Sequence, residues 1–217
     1  MNEVPHASLP MATRTCAWSW ARREWHRHGN VTASDRFINK KQNGEDVNQA
    51  LLFPLSRSTG LLRIDNRELR CVLGEAGINV HKQEGDSATP CGVLPLRRVL
   101  YRADRMKPPA CNALPREPIA PDDGWCDDPD DANYNRPVRL PYSGRHEALW
   151  RQDGLYDIIA VLGYNDSPVR RGFGSAIFLH VARADERPTK GCIAMSLPDL
   201  LWALDAGLTS IEVPSQN

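Results

Sequence analysis

From about Leu61 onward the chain gathers its apolar residues into short runs, each cut off by glycine, proline, aspartate or asparagine. Runs of this length suit strands and fall short of the three or four turns an amphipathic helix needs. Strands are therefore predicted at Leu61–Ile64, Glu68–Leu73, Ile78–Val80, Val93–Tyr101, Leu155–Leu162 and Ser175–Val181. The stretch Ile158 to Leu162 is apolar at every position, the pattern of a central strand buried on both faces. Seventeen prolines and 15 glycines against four phenylalanines agree with a turn-rich, mostly β protein.

One helix is legible near the end. Ser196 can cap it, Pro198 fits its first turn, Asp199 stands three residues after the cap, and Leu200, Leu201 and Leu204 give it an apolar side. Gly207 ends it, and Ile211–Val213 reads as a last strand. Lys107 to Tyr142 is rich in proline and aspartate and reads as a long irregular loop. Residues 1–57 differ again: Trp18, Trp20 and Trp25 stand among arginines and histidines, and Asn39 to Asn48 is nearly all polar. A poorly ordered N-terminal extension is expected there, with a tryptophan-bearing docking arm as the alternative, followed by one domain over residues 58–217.

The bulk charge excludes some functions. Lysine plus arginine number 27 and aspartate plus glutamate 27, so no general field gathers nucleic acid or an anionic membrane. No run approaches the roughly 20 apolar residues a membrane-spanning helix needs, so membrane insertion is not expected. Arg14, Arg22, Arg23 and Arg27 surround no apolar core of a secretory signal. The six cysteines at 16, 71, 91, 111, 126 and 192 form no C-x-x-C pair, which argues against structural zinc. A disulfide-stapled protein remains open on this count. The aspartates from Asp122 to Asp131 lack EF-hand spacing, so a solvated loop or a lid is preferred to calcium. No metal or organic cofactor is expected, and the oligomeric state is not legible.

The chemistry concentrates near the C-terminus. An apolar strand ends on His180, and Lys190-Gly191-Cys192 follows, the cysteine standing twelve positions after the histidine. A cysteine nucleophile attacks as thiolate and needs an adjacent base or cation, which a histidine returned to it by the loop can supply. Glycine at 191 lets the backbone approach a substrate, so that amides beside the cysteine can face an oxyanion. A buried structural cysteine next to a satisfied histidine has the same spacing, and both readings stand at this point. His81 and His146 read as surface histidines, and Gly163-Tyr164-Asn165-Asp166 as a turn.

Two separated boxes go further. Thr189-Lys190-Gly191-Cys192-Ile193-Ala194-Met195 resembles the Ser/Thr-x-Gly-Cys-hydrophobic signature of the L,D-transpeptidase family, also called YkuD-type. Glu84-Gly85-Asp86-Ser87-Ala88-Thr89-Pro90-Cys91-Gly92 is similar to that family's Thr-Pro-x-Gly turn. The resemblance runs from about Leu61 to Val213 and is nearest to a compact branch that carries segments like Ile119–Pro129 and Tyr134-Asn135-Arg136-Pro137. Lys190 and Ala194 stand where many members have other residues, and the interval between histidine and cysteine is shorter than in many.

The resemblance implies a β-sandwich of mixed sheets with a cysteine that takes an acyl group from a peptidoglycan stem peptide and passes it to an amine of a second stem. Cys192 would be the nucleophile, His180 the general base and later acid, and the amides of Gly191 and Cys192 the oxyanion donors. Tyr134, Asn135, Arg136 and Lys190 are candidate substrate contacts, Arg136 because its fork suits a carboxylate. The expected partners are donor and acceptor stem peptides, and the expected location is the bacterial cell envelope. An L,D-carboxypeptidase or other cysteine hydrolase, and a non-catalytic wall-binding module, are the alternatives.

Overall fold

The computed structural model describes residues 41–42, 45–46, 48–111 and 113–215. Trp18, Trp20, Trp25 and the first 40 residues of the expected extension lie outside the described residues. The strands come in chain order as β1 (Lys41–Gln42), β2 (Glu45–Asp46), β3 (Asn48–Pro54), β4 (Thr59–Ile64), β5 (Arg67–Val72), β6 (Ile78–Asn79), β7 (Thr89–Pro90) and β8 (Gly92–Tyr101). Next are β9 (Arg116–Pro118), β10 (Asp123–Cys126), β11 (Pro137–Arg139), β12 (His146–Ala148), β13 (Ile158–Leu162), β14 (Phe178–Val181) and β15 (Ile193–Met195). The helix α1 (Leu197–Asp205) and β16 (Leu208–Val213) complete the order.

The main sheet runs β13-β14-β15-β5-β4-β3-β16-β8-β9 and closes on itself, because β8 also pairs with β13. The long β8 makes the closure by using its two halves differently. Gly92 to Pro95 pair with β16, and Leu96 to Tyr101 pair with β13. Closure joins the two faces of the expected sandwich and seals edges that would otherwise offer unpaired amides. Leu52, Leu62, Ile64, Ile158, Leu179, Ile193 and Met195 fill its interior, at 3% exposure or less. The alternating burial of β4 follows from the two-residue period of a strand with one face inward.

All five residues of β13 are buried, as their sequence predicts. Ile158, Ala160 and Leu162 belong to the interior core, whereas Ile159 and Val161 join a second cluster with Trp125, Leu149, Tyr156, Phe178 and Cys192. The second cluster lies beneath a three-stranded sheet, β11-β10-β12. Trp125 of β10 meets Phe178 of β14 edge-on at 5.2 Å between ring centroids.

That small sheet corrects the reading of Lys107–Tyr142 as irregular. Its aspartates serve turns between short strands: Asp123 accepts from the Ala120 amide, Asp128 from Asp130 and Asp131 from Asn133. A second correction concerns the boundary at residue 57. Residues 48–54 form β3 inside the main sheet, paired to β4 on one side and β16 on the other, with Ala50 and Leu52 in the core. The helix forms as predicted, with Ser196 Oγ accepting from the Asp199 amide and Leu200, Ala203 and Leu204 buried. Asn48 Nδ2 donates to Ala206 O at the helix end. Among the described residues, no helix is long and apolar enough to cross a membrane.

Candidate active site

Two neighbouring strands set the site. Alternation along β14 sends Leu179 into the interior and places Phe178 and His180 on the opposite face. β15 runs parallel to β14, with Ile193 opposite Leu179 and Ala194 opposite His180. A parallel pair requires the intervening chain to return to the starting end. The 182–192 loop makes that return and delivers Cys192 beside Phe178, whose amide donates to Cys192 Sγ at 3.4 Å. Cys192 and His180 then line one cleft of about 550 Å³.

Thr189 holds the turn before the cysteine. Its amide donates to Leu73 O at 2.9 Å, its hydroxyl donates to Cys192 O at 2.6 Å, and its Oγ1 accepts from the Gly191 amide at 3.1 Å. Gly191 has φ +129°, and a Cβ there would stand 2.8 Å from Ala88 O. Both facts exclude a side chain at 191. Ala88 belongs to the Thr-Pro box, so the two boxes singled out separately in the sequence are in contact here.

Cys192 is 9% exposed, and its thiol donates to Ala176 O at 3.2 Å. Burial pushes its pKa up to about 12, the Glu147 charge adds to the rise, and the Phe178 amide and Lys82 oppose it without reversing it. His180 is 6% exposed, and its Nδ1 lies 2.9 Å from Val181 O. A carbonyl only accepts, so Nδ1 carries the hydrogen and Nε2 keeps the lone pair. Burial pushes this imidazole down to about 4, and at neutral pH it is uncharged. The expectation that the histidine lowers the thiol pKa therefore does not describe the resting site, which holds a neutral thiol and a neutral imidazole.

Residues that the sequence reading missed surround the pair. Tyr156 sets its ring edge against His180 at 5.3 Å and donates its hydroxyl to Glu147 Oε1 at 2.6 Å. Arg151 lies over the Tyr156 ring at 5.1 Å and closes its fork on Asp153. Glu147 and Arg151 line the cleft. They stand on β12 and in the following loop, outside either box, and no spacing in the sequence links them to Cys192. His146, read as a surface histidine, is half-buried in the same cleft, with Nδ1 at 2.8 Å from Gly144 O.

Of the expected substrate contacts, Lys190 lines the cleft. Tyr134, Asn135 and Arg136 do not, and burial corrects the reading of the first two. Tyr134 is 2% exposed, donates to Glu84 Oε2 at 2.5 Å and accepts from the Gly174 amide at 3.0 Å. Asn135 is 4% exposed; its Oδ1 accepts from Trp125 Nε1 and the Ala176 amide, and its Nδ2 donates to Tyr164 O and Asn165 O. Every polar valence of that amide is taken up inside the protein. Arg136 is exposed and lines a separate cleft of about 300 Å³ with Arg97, Arg98 and Trp125. The Tyr164–Asn165 turn works as framework, with Asn165 Nδ2 donating to Arg170 O and Gly174 O.

Among the described residues, Cys71, Cys111, Cys126 and Cys192 are free thiols, which removes the disulfide-stapled reading for Cys192. Among those same residues, no group of three or more His, Cys, Asp or Glu side chains is arranged to hold a metal ion. The model of the YkuD family, L,D-transpeptidase catalytic domain, matches residues 55–210. No curated protein and no solved structure matches the chain.

Proposed function

Because this chain belongs to the YkuD family of L,D-transpeptidase catalytic domains, we propose that it is a cysteine acyltransferase that cross-links peptidoglycan stem peptides through a thioester on Cys192. The observation that carries this reading is the cleft shared by Cys192 and a His180 whose Nδ1 is tied to a carbonyl. That bond orients the ring and reserves the Nε2 lone pair for a proton.

In the resting protein the thiol points at Ala176 O. Rotation of the thiol hydrogen toward Nε2 lets the proton pass to His180 as Sγ attacks the donor carbonyl. Concerted transfer suits two groups that are both neutral beforehand, since no buried ion pair has to be maintained in the free protein. The developing oxyanion is assigned to the amides of Gly191 and Cys192. Gly191 N–H meets the neutral Thr189 hydroxyl at rest, and an oxyanion is the stronger acceptor for it. Collapse breaks the C–N bond, and imidazolium returns its proton to the leaving amine. An amine of a second stem then attacks the thioester.

Lys190, with Arg183 and Arg187 on the same loop, gives the cleft a basic wall suited to stem-peptide carboxylates. The test is product analysis after incubation with purified disaccharide-tetrapeptide muropeptides. Cross-linked dimers from the wild type and none from Cys192→Ala are expected. Trimmed monomers alone would make the protein a hydrolase of the same substrate, and no Cys192-dependent product would leave a wall-binding module.

A further inference from the structure

The two walls of the cleft differ in charge. The 182–192 loop supplies Arg183, Arg187 and Lys190, the two arginines paired with Asp185, whereas β10, β12 and their flanks supply Asp127, His146, Glu147 and Arg151. An acceptor amine arrives in water as an ammonium ion. The basic wall repels it, and the cleft's two carboxylates, Asp127 and Glu147, stand on the opposite wall.

The two carboxylates on that wall are not equivalent. Asp127 Oδ1 is held by Arg145 Nε at 3.0 Å, and the same arginine also donates to Asp127 O. Glu147 has a looser cationic partner, Arg151, at 3.6 Å from Oε1. The Arg151 fork is itself closed on Asp153, with contacts of 3.1 and 2.5 Å. The Tyr156 hydroxyl also binds Oε1, so neither contact falls on Oε2. The Glu147 side chain is 31% exposed and lines the cleft that holds Cys192. Tyr156 fixes this carboxylate relative to the base, because its ring packs against His180.

From this placement we infer that Glu147 Oε2 binds the acceptor ammonium and decides whether the thioester is resolved by an amine or by water. The inference rests on the acyl-transfer reading above. Glu147 gives no help to the first half of the reaction, since its charge adds to the burial that already holds the Cys192 thiol protonated. Its value lies in the second half. The bound ammonium releases one proton to solvent, and the neutral nitrogen attacks the thioester carbonyl. As the C–N bond forms and the C–S bond breaks, the nitrogen passes a second proton to His180 Nε2, which hands it to Sγ. The products are an amide, a restored thiol and one proton in solution.

The test compares wild type with Glu147→Gln, which still accepts the Tyr156 hydrogen bond, on purified disaccharide-tetrapeptide muropeptides serving as donor and acceptor. Formation of the Cys192 adduct is followed by intact mass, and the ratio of dimer to hydrolysed monomer by chromatography. E147Q is expected to acylate at least as fast as wild type and to lose dimer relative to monomer by roughly tenfold, the size of one charge-assisted hydrogen bond. Hydroxylamine, an uncharged nucleophile, should resolve the thioester equally well in both proteins. An unchanged dimer-to-monomer ratio, or a loss of acylation itself, overturns this inference alone. A wild type that forms no Cys192 adduct overturns the acyl-transfer reading together with it.

Discussion

At the residue scale, the central pair is held neutral by burial, and the consequence reaches beyond catalysis. The His180 imidazole has an ordinary pKa of 6.5 and is pushed down to about 4 in the folded protein. Between those values the unfolded chain binds the proton and the folded protein refuses it. Stability is therefore complete above about pH 6.5 and is lost as the pH falls toward 4, by roughly 3 kcal/mol in total. Chemical denaturation at a series of pH values should show this slope, and His180→Gln should flatten it within that window. Carboxylates held low, such as Asp86 and Asp131, lose their contribution only below the ordinary aspartate value of 3.8 and leave the window clear. Cys192 and His180 were legible in the sequence because a Gly-Cys turn and a strand ending in histidine are local patterns. Glu147, Arg151 and Tyr156 were not, since their relation to the thiol is created by packing of the small sheet over β13 and β14. Tyr134 and Asn135 looked like ligand contacts because polar residues in a Pro/Asp-rich segment read as exposed, and burial in a fully satisfied network leaves no local mark.

At the scale of elements, the contact between the small sheet and the main sheet depends on Asn135. Its amide joins Trp125 of β10, the Tyr164–Asn165 turn, and Ala176 just before β14. Ala176 has φ +51°, a conformation that residues other than glycine rarely hold, and its carbonyl receives the Cys192 thiol. Asn135→Ala should leave two buried and two partly buried polar groups without this partner and cost about 3 kcal/mol, or a melting point lower by about 10 °C. Acyl transfer should fall along with it, because the peptide that orients the thiol is released. An Asn135→Ala protein with wild-type melting and activity would contradict this framework role. The single helix and β13 could be read directly, one from its cap and apolar spacing, the other from five apolar residues in succession. The short strands β10, β11 and β12 could not, because each has three or four residues and depends on its neighbours for definition.

At the scale of the whole molecule, stability follows from closure of the main sheet. β3 is central to it, lying between β4 and a β16 that is about 160 residues away in sequence. No local pattern encodes a pairing of that range, and the polar stretch before Asn48 concealed the strand's start. Deleting residues 1–57 should remove Ala50 and Leu52 from the core, expose the edges of β4 and β16, and abolish cooperative unfolding by circular dichroism. A sigmoidal melt in that variant would show that the closed sheet is dispensable. The closed sheet and the small sheet over it bring Cys192 and His180 to one cleft, the arrangement on which the proposed acyl transfer rests. The measurement that tests this most directly is peptide-mapped mass spectrometry of the full chain, quenched in acid after mixing with tetrapeptide muropeptide. An added mass equal to the donor acyl group is expected on the peptide containing Cys192, with none in Cys192→Ala. An adduct on another residue, or products that persist without Cys192, would contradict it.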